Sequence, residues 1–175
     1  VGYIAPNEMA DSVTGLESEL GSSETLVDSV IEIRAVIAAI SLGFAAGTRK
    51  KETLLRESRE LVLDEGRRAL LIRKNRWVTT KTHRSTRLID LEPSMPAAGW
   101  AAISAWRENS SALRTLSEAR HSMLFSESVD GQTPLGTERL TRRIAATLRH
   151  STGRQDAQVN WWRHTAVSND ILVLF

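Results

Sequence analysis

Cysteine is absent from the 175 residues, which excludes disulfide frameworks, thiolate zinc sites and cysteine nucleophiles. Tyrosine occurs once, at Tyr3, and proline four times. No apolar run is long enough to cross a membrane. The longest, Ala35 to Gly47, has 13 residues and contains Ser41, against the ~20 apolar residues a spanning helix needs. It reads instead as a buried helix. Nothing in the first residues pairs a charged stretch with an apolar one in the manner of a secretory leader. The Asn109-Ser110-Ser111 sequon is therefore a chance match, and the expected location is cytoplasmic. There is no Gly-rich phosphate loop, no nucleophile-elbow serine and no His-Glu-x-x-His. His83, His121, His150 and His164 lack metal-ligand spacing, so no metal or cofactor is expected. Hydrophobic residues make up 41% and charged residues 25%, the balance of a soluble globular domain rather than a disordered chain.

The net charge of +2 conceals an asymmetry. Residues 1–48 hold one basic residue, Arg34, against seven acidic ones, whereas residues 49–175 hold 22 basic and 14 acidic. The densest positive stretch is Gly66 to Leu91, with eight Lys/Arg against the single Asp90. A polyanionic partner is the simplest reason to gather that charge; a solvated hairpin with surplus arginine is the bland alternative.

Val1 to Gly21 is acidic and reads as a linker with a short helix, opened by the capping-box spacing Thr14-Gly15-Leu16-Glu17. Ser22 or Ser23 then caps a helix from about Glu24 to Ala46. Val30, Ile33, Ile37, Ile40 and Phe44 leave it little polar face, so it is predicted to be the centre of a bundle, stopped by Gly47. A charged helix is predicted over Lys50 to Leu61. The period then shortens: Ala69 to Ile72, Trp77 to Thr80 and Thr86 to Leu91 read as three strands separated by turns. Ala97 to Arg107 and Ser111 to Arg120 read as helices, with Trp100, Ile103 and Trp106 as core. Thr137 caps a helix to about His150 whose stripe is Leu140, Ile144 and Leu148. A last helix starts near Asn160. The fold class is mainly α with a small three-stranded antiparallel sheet (α+β).

Three segments carry chemistry. Gly47-Thr48-Arg49-Lys50-Lys51-Glu52 follows the buried helix, Thr79-Thr80-Lys81-Thr82 lies at a β-turn, and Asn160-Trp161-Trp162-Arg163-His164-Thr165 opens the last helix. Leu124-Phe125, Gly131 and Pro134-Leu135 lie between them. This order resembles the catalytic domain of the tyrosine recombinases, or phage-type integrases. That family carries Arg-x-x-Glu after an apolar helix, a hairpin lysine, and His-x-x-Arg-His-Thr at a helix start. The resemblance covers about residues 22–175, with 1–21 as an N-terminal segment. It implies site-specific DNA recombination for a mobile element by a phosphotyrosine intermediate. Arg49 and Arg163 would clamp the scissile phosphate, Lys81 would be the general acid, and Asn160 and His164 would complete the site. The chemistry agrees: in-line attack on a phosphodiester builds charge on non-bridging oxygens, and two planar, permanently charged guanidinium forks suit it.

The resemblance also implies double-stranded DNA as partner, a homo-tetramer on DNA for the intact protein and a monomer for this stretch alone, in a bacterial nucleoid. Arg73, Lys74, Arg76, Arg84, Arg87, Arg142 and Arg143 are the cations expected on DNA. Two departures stand out. Asn160 occupies the position usually held by His or Lys and cannot shuttle a proton. The tyrosine nucleophile would lie beyond Phe175, so this stretch alone is expected to be inactive. A non-catalytic DNA-binding relative, a type IB topoisomerase and a helical protein-interaction domain remain as alternatives.

Overall fold

The structure, a computed structural model, describes residues 2–21, 27–64, 66–79, 86–92, 95, 97–112, 122–126 and 133–172. Helix α1 spans Pro6–Leu20, α2 Val27–Ala46 and α3 Lys50–Leu54. A 3-10 turn at Ser58–Glu60 leads into β1 (Leu61–Asp64), β2 (Arg67–Ile72) and β3 (Arg87–Asp90), followed by α4 (Ala97–Ala112), α5 (Thr137–Thr152) and α6 (Trp161–Leu172).

The predicted central helix is α2. Every residue from Ala35 to Ala46 is buried, and the helix packs against α1, α4, α5 and α6. A helix apolar all round is stable only when wrapped on all sides. Gly47 ends it at φ +57°, a conformation that L side chains rarely adopt. Gly153 ends α5 in the same way at φ +64°. Leu140, Ile144 and Leu148 are the buried stripe of α5, as their spacing predicts, and Ile103 and Trp106 of α4 are core.

Four local expectations need correction. Residues 6–20 form a single helix that begins at Pro6 rather than near Thr14; Met9, Val13 and Leu16 are buried on it, and it packs on α5. The helix predicted to run to Leu61 stops at Leu54. Gly136, not Thr137, is the residue capping α5. The sheet is three-stranded and antiparallel in the order β1-β2-β3, but its first strand is Leu61–Asp64 and not the Trp77 run. Asp64 pairs with Arg67 around Gly66, whose φ of +83° suits a tight reversal, and Ile72 pairs with Arg87. Trp77 and Val78 donate their backbone N–H groups to Asn75 Oδ1 at 2.9 and 2.8 Å. That Asx turn satisfies locally the donors a strand would offer to a neighbour. The expected capping serines, residue 80 of the Trp77 run and the predicted helix beyond Ala112 lie outside the described residues.

Candidate phosphate-binding site

Arg49 stands immediately before α3. Its backbone N–H donates to Glu52 Oε2 at 3.0 Å and its Nη1 to Glu52 Oε1 at 3.3 Å. Glu52 thereby satisfies an orphan N–H at the helix start and holds the side chain of the same residue. The Glu52 side chain is only 8% exposed whereas that of Arg49 is 57% exposed, so the carboxylate is the buried end of the pair. Arg87, the first residue of β3, donates from Nη2 to Glu52 Oε2 at 3.1 Å. Burial pushes the Glu52 carboxyl up, but the Arg49 N–H, the Arg87 hydrogen bond and the two guanidinium charges together outweigh it, and the group settles below the usual glutamate value.

The opening of α6 lies against the same segment. Trp162 is fully buried, and its indole N–H donates to the Thr48 carbonyl at 2.7 Å. A Cβ on Gly43 would fall 2.4 Å from the Trp162 ring, and one on Gly47 would fall 2.7 Å from the Ala166 Cβ, so α2 and α6 approach as closely as glycine allows. Thr48 and Trp162 are the chain neighbours of Arg49 and Arg163. The fold therefore brings these two arginine-bearing segments together through one buried hydrogen bond. Arg163 is half-buried, whereas Asn160 and His164 are exposed. Thr165 braces α6 from behind: its Oγ1 accepts from the Ile4 N–H and donates to the Ile4 carbonyl, both at 2.9 Å.

Between α3 and the sheet lies a buried ionic cluster that the sequence did not announce. Arg56 and Glu60 are fully buried, and Arg56 Nη1 lies 3.5 Å from Glu60 Oε2. Arg56 Nη1 also donates to the Arg73 carbonyl at 2.9 Å. Glu60 accepts from Arg73 Nε at 3.1 Å, from Asn75 Nδ2 at 3.0 Å and from its own cap, the Glu57 N–H, at 2.8 Å. Asn75 Nδ2 donates to the Leu55 carbonyl as well, at 3.0 Å. Burial lowers the Arg56 pKa, while Glu60, Glu52 and Glu57 oppose that shift. Among the described residues, Arg56 Nε and Nη2 have no hydrogen-bond partner. Met123, Leu124 and Phe125 roof this region; Leu124 N donates to the Arg56 carbonyl at 2.7 Å and Trp106 Nε1 to the Leu124 carbonyl at 3.0 Å.

Lys81 and Arg84 lie outside the described residues. Arg73 is engaged by Glu60 and Arg87 by Glu52. Lys74 is exposed, and so is Arg76, whose guanidinium lies 5.2 Å from the Trp77 ring centre. On α5, Arg142 is exposed and Arg143 is paired with Glu19 of α1. Among the described residues, no group of three His, Asp or Glu side chains could hold a metal ion, and no helix is long and apolar enough to cross a membrane.

No family model and no curated protein matches the chain. Solved structures do. The XerH site-specific recombinase bound to difH substrate superposes with a TM-score of 0.67 at 14% identity, over 99% of this chain and 43% of that one. The XerA recombinase gives 0.61 at 16% identity, over 98% and 51%. The Tn1549 transposon integrase in complex with circular intermediate DNA gives 0.51 at 13% identity, over 98% and 52%. The chain thus spans about half the length of each of these recombinases. From α2 and its glycine stop, through the three-stranded sheet, to the tryptophan-anchored α6, it has the fold of a tyrosine-recombinase catalytic domain.

Proposed function

We propose that this chain is the phosphate-binding part of a DNA breaking-rejoining enzyme that performs site-specific recombination for a mobile element. The observation that carries the reading is the Trp162–Thr48 hydrogen bond of 2.7 Å, which sets the Arg49 loop against the helix that begins one residue before Arg163's neighbour. Arg49 and Arg163 clamp the scissile phosphate from two elements. A tyrosine attacks phosphorus through its hydroxyl oxygen and releases its proton to water, the bond to the 5′ oxygen breaks, and Lys81 gives that oxygen its proton. His164 and Asn160 complete the site. Exposed Lys74, Arg76 and Arg142 contact the duplex backbone, joined by Arg84 and, on release from their carboxylates, Arg73 and Arg143, whereas Arg87 stays on Glu52. The intact protein works as a homo-tetramer on paired duplexes.

The test uses the complete gene product and a duplex nicked beside the cleavage point, which traps a covalent protein–DNA adduct. Arg49→Gln and Arg163→Gln each lower adduct formation on the order of 10²-fold or more, the usual cost of one lost oxyanion donor. Wild-type adduct yield from either variant sinks the proposal. Asn160 favours a second reading, a DNA-binding relative that does not cleave. That protein binds duplex with a steep linear log–log salt dependence and yields no adduct on any nicked substrate.

A further inference from the structure

We infer that Arg87 is a positioning residue that keeps the charge of Arg49 available to an anion, acting through Glu52. This rests on the reading of Arg49 as a phosphate ligand. One buried carboxylate lies between two guanidinium groups: Oε2 takes the Arg49 N–H at 3.0 Å and Arg87 Nη2 at 3.1 Å, while Oε1 takes Arg49 Nη1 at 3.3 Å. The three side chains together carry one net positive charge. Without Arg87, Glu52 and Arg49 form a neutral pair, and an incoming phosphate must compete with the carboxylate for the same guanidinium. With Arg87 present, the carboxylate is neutralised from the sheet side, and the positive charge left over belongs to the solvent-facing Arg49.

The geometry favours that division of labour. Arg49 is 57% exposed and Arg87 36%, so Arg49 has the freer fork. Arg87 is fixed at the first residue of β3, paired with Ile72 in the ladder, so the neutralising charge comes from a rigid element. The N–H of Arg49 keeps the carboxylate in register with the loop whichever guanidinium it holds. Glu52, held below the usual glutamate range, stays ionised at neutral pH and remains a competitor for Arg49 under working conditions.

The test again uses the complete gene product and the nicked duplex, with thermal melts as a check on folding. Arg87→Gln is expected to slow adduct formation about tenfold or more, a typical coupling between charges in contact. Arg87→Lys, which keeps the charge, is expected to stay within about threefold of wild type. The decisive variant is the double change Glu52→Gln with Arg87→Gln, which removes the competitor together with its neutraliser. It is expected to cleave faster than Arg87→Gln alone by more than the difference in folded fraction read from the melts, which a purely structural brace cannot produce. Wild-type cleavage by Arg87→Gln overturns the inference. So does a double variant no faster than the single one, or a folded Arg87→Lys as slow as Arg87→Gln. If Arg49→Gln itself cleaves normally, the phosphate reading fails with it; if Arg49→Gln is dead while Arg87→Gln is normal, only the role of Arg87 fails.

Discussion

The α2–α6 junction and the α3–sheet junction flank the same loop and are held by opposite means. At the first, an indole lies against Gly43 while Gly47 faces Ala166, and a single hydrogen bond to Thr48 satisfies the indole N–H. At the second, Arg56, Glu57 and Glu60 are buried and Arg73 and Asn75 close the cluster. Apolar packing depends on shape and is insensitive to pH; an ion cluster depends on charge balance and on filling every donor and acceptor. The loop bearing Arg49 thus sits between a steric anchor and an electrostatic one. Damage to the two is expected to look different.

The largest effect belongs to the steric anchor. Trp162→Ala removes a fully buried side chain and is expected to cost about 3–5 kcal/mol in urea unfolding. Gly43→Val forces a branched side chain into the ring's position and is expected to cost about 1–3 kcal/mol or more. Near-wild-type stability of Trp162→Ala would remove the basis of the comparison. At the ionic anchor the two ends differ. Glu60→Ala leaves Arg56 buried without its carboxylate and is expected to cost about 3–5 kcal/mol. Arg56→Met leaves Glu60 still bonded to Arg73, Asn75 and the Glu57 N–H and deletes two guanidinium nitrogens that have no partner among the described residues. It is expected to stay within about 1.5 kcal/mol of wild type. Equal losses for the two variants would show that the cluster works as a symmetric pair.

The steric anchor was legible in the sequence and the ionic one was not. Ala35 to Ala46 leaves no polar face, so its burial follows from period alone, and Gly47 marks its end. Trp162 reads as a core or interface anchor from its size. The stretch Arg56 to Glu60 misleads because charge is normally a sign of solvent. Two acids and two arginines within five residues look like a surface helix, yet Arg56, Glu57 and Glu60 are buried. Their partners, Arg73, Asn75 and the Met123 strip, come from at least 13 residues away in the chain, and no local pattern announces them. Asn75 likewise turned a β-type Trp77 run into an Asx turn. The role of Gly66 in a hairpin appears only once Asp64 is seen to pair with Arg67. Of the proposed site, the residue types and their order were readable. That Arg73, Arg87 and Arg143 face carboxylates within the fold was not.

A smaller effect separates the two anchors by pH. Glu52 has a folded pKa below its unfolded value, so its contribution is fully present above the ordinary glutamate range and is lost as pH falls through the folded value. Acid titration of unfolding free energy is expected to show a loss that Glu52→Gln reduces. The Trp162 contribution carries no titrating group, so the difference between wild type and Trp162→Phe is expected to stay constant over the same interval. A pH-dependent difference there would mean that the two anchors are coupled through Thr48 and Arg49.

The smallest effect lies on the far side of α1, where Arg143 pairs with Glu19 at side-chain exposures of 37% and 44%. An ion pair that wet contributes about 0–1 kcal/mol, so Glu19→Gln is expected to shift unfolding by no more than that. Its interest is in binding. If Arg143 is one of the DNA-facing cations, Glu19 competes for it with phosphate. Glu19→Gln then raises duplex affinity at low salt and steepens the log–log salt slope by up to about 0.9, the value of one more phosphate contact. The same change without Arg143, in the variant Glu19→Gln with Arg143→Gln, is expected to abolish the gain. An unaltered salt slope in Glu19→Gln assigns Arg143 to holding α5 against α1 and removes it from the DNA-facing set, in which exposed Arg142 then stands for α5.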